Sequence, residues 1–311
     1  MLREIRRADV DSVLGFLQTE FPEENAILGI RREGFEKIVH RLFRWDLRFV
    51  LALLRLVGRS PFRFFVIADG DRIVGTTLVS FPPRAGYLSS VVVDRAYRRR
   101  GYARRLLEAA RAAAARRDRP FVALDVLEGN APARQLYASA GYRTLRSVSY
   151  LVLDVGSPAG PTPSAAAVRP FRPADARPLA EIAQRTAPPE VAEVLPVRPK
   201  ELVGSGLVER MLASESSSWV IDRGRGPEAY LTAVVTPATE SAHLSAPIVA
   251  ESVDPEVAVA LVRTAVAWVA ARRAPRIVVM VPDHATRGRA ALTEVGFRHA
   301  LGILTLYRPT A

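Results

Sequence analysis

The stretch VVVDRAYRRRGYARRLLEAA, residues 91–110, joins a strand-like sequence to a helix-like one. An apolar, β-branched run ends at Asp94, and an Ala/Leu/Arg sequence with helical spacing begins after Gly101. The first backbone N–H groups of a helix have no partner within the helix and lie at the positive end of its dipole, so they attract anions. A glycine at this point lets a ligand approach the backbone closely. The corner therefore predicts a site for a phosphate or diphosphate group.

Positive side chains crowd the same corner. Its arginines are Arg98, Arg99, Arg100 and Arg104. Their planar guanidinium groups match the geometry of phosphate oxygens, and the small Ala103 leaves room in the first helical turn. Arginines at a helix start are also typical of a solvated cap, so the corner alone leaves both interpretations open.

Charge is distributed unevenly along the 311-residue chain, whose formal net charge is +12. Residues 1–156 carry 27 basic and 17 acidic side chains, and residues 157–311 carry 17 and 15. A basic region of this kind binds nucleic acid or a small polyanion such as a nucleotide cofactor. Because the sequence contains no basic patch interleaved with aromatics and no nucleic-acid recognition motif, nucleic acid is not expected as a partner.

Composition excludes several classes of site. The chain has no cysteine, which rules out disulfides, thiolate metal sites and a thiol nucleophile. Its four histidines lack metal-ligand spacing, so no metal is expected. The N-terminal sequence MLREIRRADVDSVLGFL places acids close behind its arginines and has no long apolar core, unlike a secretory signal. We therefore expect a cytoplasmic protein without a transmembrane segment.

Two similar halves flank a linker. Residues 155–167, VGSPAGPTPSAAA, are rich in Pro, Gly, Ser and Ala and show no apolar period, which is typical of a linker. LREIRRAD opens the first half and VRPFRPAD opens the second. The halves also end alike, with LYASAGYRTL at 136–145 and ALTEVGFRHA at 291–300. Matching ends predict one fold used twice, as domains at 1–154 and 168–311.

The first half has an alternating pattern of strands and helices, which predicts an α/β fold. The predicted elements are a strand at 2–6, a helix at 9–19, a hairpin at 62–83 that turns at Asp69–Arg72, a strand at 86–94, a helix at 101–117, a strand at 120–128, a helix at 131–139 and a strand at 144–154.

The spacing Arg98-x-x-Gly101-x-Ala103, between a strand and a helix, resembles the Q/R-x-x-G-x-G/A signature of the GNAT superfamily of N-acyltransferases. A second block, LDVLEGNAPARQLYASAGY at 124–142, is similar to another region of that family, with Asn130 and Tyr137 seven residues apart. The resemblance implies tandem GNAT-like domains, each a mixed, mostly antiparallel twisted sheet flanked by helices.

The same resemblance implies a way of binding acetyl-CoA. The pantetheine arm would pair with the main chain of Val91 and Val93, and Asn130 would hold a pantetheine amide. The diphosphate would bind the N–H groups of residues 99–104. The implied set is Val91, Val93, Arg98, Arg99, Arg100, Gly101, Tyr102, Ala103, Arg104 and Asn130. As an alternative, Asn130 is an ordinary helix N-cap, and both roles are compatible.

Two side chains are implied catalytic residues. Tyr137 would protonate or hydrogen-bond the departing thiolate, and its alternative is a core tyrosine under the last helix of the first half. Asp125 stands where some protein N-terminal acetyltransferases of the superfamily carry a glutamate, and would act as the base. Its alternative is an aspartate on the solvent side of a strand, and Glu128 is a second candidate base.

The resemblance thus implies transfer of an acetyl group from acetyl-CoA to a primary amine by direct attack, with the active site in the first half. The acceptor would be an amine on a small molecule or a peptide. The alternative function is an acyl-CoA-binding regulatory module with little or no catalysis.

The second half departs from the signature. SAPIVAESVDPEVAVALVRTAVAWV, residues 245–269, has no Arg-x-x-Gly, and Glu251, Asp254 and Glu256 would repel a diphosphate. Asp283 or His284 replaces the asparagine, and Leu292 falls near the tyrosine position. We therefore expect a GNAT-like domain that has lost cofactor binding.

Residues 36–58, EKIVHRLFRWDLRFVLALLRLVG, form an unusually apolar stretch with helical character. It is interrupted by charged side chains, which are too many for a span across a bilayer: Arg41, Arg44, Asp46, Arg48 and Arg55. Three interpretations remain: a helix buried on most sides, a domain or homodimer interface, and a surface helix that meets lipid. Burial between the halves or in a homodimer is favoured.

Overall fold

A computed structural model describes residues 1–9, 12–13, 62–156, 167–203, 214–237 and 241–311. The predicted 36–58 helical region lies outside the described residues, as do most of the predicted helix at 9–19 and most of the linker at 155–167.

The described residues contain thirteen strands and seven helices. The strands are β1 Leu2–Glu4, β2 Phe62–Asp69, β3 Arg72–Ser80, β4 Ala85–Val93, β5 Phe121–Leu127, β6 Arg143–Asp154, β7 Val168–Pro170, β8 Glu215–Asp222, β9 Pro227–Val235, β10 Ser241–Leu244, β11 Ile248–Val249, β12 Arg276–Pro282 and β13 Arg298–Pro309. The helices are α1 Tyr102–Ala115, α2 Ala131–Ser139, α3 Ala176–Thr186, α4 Pro189–Val194, α5 Pro199–Leu202, α6 Pro255–Ala270 and α7 Thr286–Val295. The predicted α/β class is confirmed, and the first hairpin turns where the sequence placed it, after Asp69.

All of these strands belong to one sheet whose order is symmetric. The order is β1-β2-β3-β4-β5-β13-β6-β12-β10-β9-β8-β7, with β11 paired to β9 outside this path. The order is the same when it is read from either end. Strands β1, β2, β3, β4 and β5 of the first half correspond, in this order, to β7, β8, β9, β10 and β12 of the second half. The last strand of each half is exchanged: β13 lies between β5 and β6, and β6 lies between β13 and β12. The two halves therefore complete each other's sheet.

Successive side chains of a strand point to opposite faces, and these strands place apolar side chains on both faces of the sheet. Helices therefore cover both faces. On one face of the first half, α1 buries Leu106, Leu107 and Ala110 against a core that includes Leu124. In the second half, α6 and α7 cover the corresponding core. The opposite face of the first half meets α4 of the second half, through Val194.

The similar openings of the two halves fold into the same ion pair. In the first half Arg3 donates to both carboxylate oxygens of Asp9, at 2.5 and 2.8 Å. In the second half Arg169 donates to both oxygens of Asp175, each at 2.8 Å. The backbone N–H of Arg172 also donates to Asp175, at 2.7 Å. These hydrogen bonds favour the charged carboxylate, and the one from Arg169 is the main cause that lowers the pKa of Asp175.

Replacement of this buried carboxylate measures the contribution of the pair to stability. Asp175→Asn should lower the free energy of unfolding by about 2 kcal/mol at pH 7, because a charged hydrogen-bonded group is lost. Since the folded-state pKa of Asp175 is lowered, its stabilisation is present above the ordinary aspartate pKa and disappears as the pH falls. The difference between wild type and variant should therefore shrink below about pH 4 in urea unfolding curves.

Asp71→Asn is the matched control, because Asp71 lies exposed in the turn between β2 and β3. Equal losses in the two variants, or a difference from wild type that does not change with pH, would contradict this role of the ion pair.

Candidate functional site

A split between two neighbouring strands opens the sheet of the first half. The parallel strands β4 and β5 pair only from Ala85 to Leu88 on β4. Just beyond, Ser90 has a positive φ of 56°, and the β3–β4 ladder shifts its register. Such a bulge bends a strand and redirects its edge. The remaining part of β4, up to Val93, therefore diverges from β5 and leaves a gap next to Leu124.

A cleft of about 610 Å³ lies on the helix-covered face beside this gap. The end of β4, the corner that follows it, and helices α1 and α2 form its walls. Its lining residues are Val91, Val92, Val93, Tyr97, Arg98, Arg99, Gly101, Tyr102, Ala103, Arg104, Asn130, Pro132, Ala133, Gln135, Leu136, Tyr137 and Ser139. The structure thus brings together, on one cleft, all but two of the site residues named from the sequence.

The corner exposes its backbone to the cleft. Gly101 is the N-cap of α1 with φ 77°, and it provides no side chain to cap the helix. Arg99 also has a positive φ, of 65°. A side chain at Gly101 would point into open space, because no atom lies within 4 Å of the position of an added Cβ. The N–H groups of the first helical turn can therefore meet an anion at the cleft wall.

The four arginines of the corner occupy different places. Arg98 donates from Nε to the carbonyl of Val93 at 3.0 Å, along the edge of β4. Arg104 reaches across the cleft and donates from Nη2 to Ser139 Oγ at 3.2 Å. Arg100 lies outside the cleft lining, and its guanidinium lies over the ring of Tyr97, 4.9 Å from the centroid. The cleft wall therefore carries Arg98, Arg99 and Arg104.

Asn130 and Tyr137 line the cleft from α2. Asn130 is the N-cap of this helix and accepts a hydrogen bond from the N–H of Ala133 at 3.2 Å, so it does act as a cap. Tyr137 is only 6% exposed and packs edge-on against Tyr142. Burial raises the pKa of Tyr137 to about 12. Its phenol therefore keeps its proton at neutral pH and is available as a donor at the cleft wall.

Asp125 is the second site residue outside the cleft lining. On β5, Val122 and Leu124 pack under α1, while Ala123 faces the opposite side, against Val194. Side chains of a strand alternate, so Asp125 shares the face of Ala123. It is the first residue of β5 beyond the pairing with β4, so it lies at the gap, across the sheet from the cleft.

The surroundings of Asp125 include residues that were not identified from the sequence. Thr305 of β13 donates from Oγ1 to Asp125 Oδ1 at 2.8 Å. Arg146 of β6 donates from Nε to Thr305 Oγ1 at 3.4 Å. The phenol of Tyr87 also lies beside Asp125, and burial followed by the charge of Asp125 raises the pKa of Tyr87 above its usual value. No local pattern marks these residues, since β13 reaches Asp125 from the far end of the chain.

Glu128, the second candidate base, packs elsewhere. Its backbone N–H donates to the carbonyl of Gly302 at 3.0 Å. Its carboxylate lies directly over Gly302, so any side chain at that position would collide with it.

The symmetric sheet order identifies the corresponding positions of the second half. Asp254 caps α6 where Gly101 caps α1, and Leu292 corresponds to Tyr137, four residues before a left-handed glycine in each half. The N-cap of α7, equivalent to Asn130, is Ala285. The sequence analysis placed Asp283 or His284 at the position of Asn130, and the structure corrects this. The backbone N–H of Asp283 donates to Ser147 as that of Glu128 donates to Gly302, so Asp283 corresponds to Glu128 and Ala285 to Asn130.

A smaller cleft of about 380 Å³ lies between α6 and α7 of the second half. Its lining includes Glu256 and Glu294 beside Arg263 and Arg287. The two carboxylates there balance the two guanidinium groups, whereas every charged side chain that lines the cleft of the first half is an arginine.

The larger cleft fits coenzyme A by its chemistry. An extended strand edge at Val91–Val93 suits the amides of the pantetheine arm, and the open helix start at Gly101 suits its diphosphate. Among the described residues, no cluster of three or more histidine, aspartate or glutamate side chains is arranged for a metal ion. Within the same part of the chain, no helix is long and apolar enough to cross a membrane.

Comparison with known proteins agrees with this geometry. Residues 24–142 match the model of the acetyltransferase (GNAT) family. A search of curated protein sequences finds no match.

Three solved structures share the fold of the whole chain. A tandem GNAT protein from the clavulanic acid biosynthesis pathway has 16% identity and a TM-score of 0.60, covering 100% of this chain and 99% of that chain. A GCN5-related N-acetyltransferase from Sphaerobacter thermophilus has 15% identity and a TM-score of 0.65, with 100% and 95% covered. A GCN5-related N-acetyltransferase from Kribbella flavida has 16% identity and a TM-score of 0.54, with 100% and 72% covered. The tandem GNAT fold predicted from the sequence is confirmed.

Proposed function

We propose that this chain, whose residues 24–142 match the model of the acetyltransferase (GNAT) family, is an acetyl-CoA-dependent N-acetyltransferase with its active site in the first half. The observation that carries this proposal is the placement of three features around one gap. The cleft ends on the open helix start at Gly101, Tyr137 lines its wall, and Asp125 lies across the gap on the other face of the sheet.

The residues of the cleft would hold acetyl-CoA by its polar groups. The N–H groups of residues 99–104 would bind the diphosphate, with Arg99 and Arg104 adding charge. The main chain of Val91 and Val93 would pair with the pantetheine arm, although the Val93 carbonyl already accepts from Arg98 and would be shared. Asn130 can cap α2 and still face the ligand, because it lines the cleft.

Acetyl-CoA supplies an acetyl group activated as a thioester. Asp125 would take a proton from the acceptor ammonium, whose nitrogen then forms the amide bond to the acetyl carbon as the carbon–sulfur bond breaks. Tyr137 would give its proton to the departing sulfur, and the second proton that the nitrogen loses as the amide forms would restore the phenol. Its place on the cleft wall supports this role, because a phenol is protonated at neutral pH and can donate to a group bound in the cleft. The proposed acceptor is a primary amine on a small molecule or peptide.

The second half would serve the first without binding acetyl-CoA itself. Asp254, Ala285 and Leu292 occupy the positions of Gly101, Asn130 and Tyr137, and none of them can replace the group it stands for. In this proposal residues 168–311 form a degenerate GNAT-like domain after a linker at 155–167.

The proposal is tested first by binding and then by turnover. Isothermal titration calorimetry should register acetyl-CoA binding by the full chain. A thiol reagent should then detect CoA release when an alkylamine, an amino sugar or a peptide with a free N-terminus is added. Binding without amine-dependent release would indicate the regulatory acyl-CoA-binding module, and absence of binding would refute both functions.

Gly101→Glu should abolish acetyl-CoA binding while the fold survives. The new carboxylate would enter the open space at the cleft wall and repel the diphosphate, weakening affinity by on the order of 100-fold or more in calorimetry. Gly70→Glu is the matched control, because Gly70 also has a positive φ and open space but lies in the β2–β3 turn. Both variants should lose about 1 kcal/mol of folding free energy, and equal affinities for acetyl-CoA would argue against the corner as the binding site.

Tyr137→Phe should reduce kcat by about 100-fold, since it removes the proton donor, while acetyl-CoA affinity changes little. Tyr142→Phe provides the comparison: Tyr142 is equally buried and packs against Tyr137 but does not line the cleft. Steady-state kinetics of the two variants, with the most reactive amine, separate the roles. A Tyr137→Phe enzyme with normal turnover would remove Tyr137 from the chemistry.

A further inference from the structure

Three polar side chains form a row across the sheet next to the gap. Thr305 on β13 lies directly between Asp125 on β5 and Arg146 on β6 in the strand register. Arg146 donates to the hydroxyl of Thr305 at 3.4 Å, and this hydroxyl donates to Asp125 Oδ1 at 2.8 Å. Because a guanidinium can only donate, its contact with Thr305 Oγ1 directs the hydroxyl proton toward Asp125.

Burial makes this arrangement rigid. Thr305 is 0% exposed, and its neighbours on the ladder hold its β-branched side chain in place. Asp125 itself is half-buried, at the point where β5 no longer pairs with β4. Tyr87 flanks the same carboxylate from β4, and burial followed by the charge of Asp125 raises the pKa of Tyr87. Thr305 thus fixes one oxygen of a carboxylate that belongs to a half-buried residue.

The second half is an internal comparison for this row. By strand register, Met280 corresponds to Asp125, Tyr150 to Thr305 and Leu301 to Arg146. Met280 pairs with Tyr150, and Tyr150 with Leu301, as Asp125 pairs with Thr305 and Thr305 with Arg146. The same sheet therefore forms without a carboxylate, a small hydroxyl or a guanidinium at these positions. The fold does not require the polar row, and a role in the chemistry of the first half explains it.

We propose that Thr305 of the second half is a positioning residue for the active site of the first half, where it orients the Asp125 carboxylate toward the acceptor amine. This inference rests on the proposed acetyltransferase function and assigns the second half a direct part in it. Arg146 sets the direction of the Thr305 hydroxyl, and Asp125 is the group that touches the substrate. The active site would then be complete only when both halves are folded together.

Kinetics of three variants of the full chain test this proposal, with acetyl-CoA and the most reactive amine of the panel. Thr305→Val keeps the shape of the side chain but removes the hydroxyl, and should lower kcat by about tenfold without changing the KM for acetyl-CoA. Thr305→Ser retains the hydroxyl and should recover most of the activity. In an Asp125→Asn background, Thr305→Val should cause no further loss, because Thr305 acts through the carboxylate.

Thr76→Val is the control for loss of a buried hydroxyl. Thr76 is also 0% exposed and donates from Oγ1 to the carbonyl of Phe65 at 3.2 Å, away from the row. Thermal unfolding should show similar destabilisation of the Thr76 and Thr305 variants, whereas kcat should fall only for Thr305→Val.

Two results would overturn the inference while the proposed function stands: wild-type kcat in Thr305→Val, or losses that multiply when Thr305→Val and Asp125→Asn are combined. Failure of the wild-type chain to release CoA with any amine would instead overturn the proposed function, and the role of Thr305 with it.

Discussion

The antiparallel ladder between β6 and β13 is the interaction on which both halves of this protein depend. Each of these strands is the last of its own half, yet each is bordered on both sides by strands of the other half. Strand β13 pairs with β5 on the side away from β4, and β6 pairs with β12 on the side away from β10, so neither β5 nor β12 is left with an open edge. The insertion of β13 between β5 and β6 joins the two halves in one sheet and at the same time places Thr305 against Asp125. The strand exchange that joins the two halves therefore also brings together two polar side chains of the candidate site.

The two halves share one fold but differ in the side chains around the gap. Both halves use the same Arg–Asp pair at their start and the same left-handed glycine after their last helix. They differ at a few corresponding positions around the gap. The second half has Asp254 in place of Gly101, Leu292 in place of Tyr137 and Met280 in place of Asp125. Met280, at the position that corresponds to Asp125, is 37% exposed and carries no charge. The two halves thus share a core, while the polar groups of the candidate site occur in the first half.

Sequence patterns predicted the candidate-site residues that lie close together along the chain. They did not predict residues that strand pairing brings together from distant parts of the chain. The corner at Gly101 and the pair Asn130 and Tyr137 could be found because their spacing along the chain is also their spacing in the site. Thr305 could not, since it reaches Asp125 only through strand exchange over a separation of 180 residues. The position of Arg100 likewise depends on a stacking contact with Tyr97 that no motif specifies. The prediction that Asp283 or His284 corresponds to Asn130 was wrong, because the sequence of the short loop before α7 does not indicate that Ala285 is the N-cap.

The order of the strands along the chain constrains how the protein folds during synthesis. Strands β1 to β6 leave the ribosome before β13, so the place between β5 and β6 stays vacant until residues 298–309 follow. The first half completes its part of the sheet only with a strand from the second half, unlike tandem domains that fold one after the other. A chain interrupted before residue 298 would leave β5 and β6 without the strand that pairs with both.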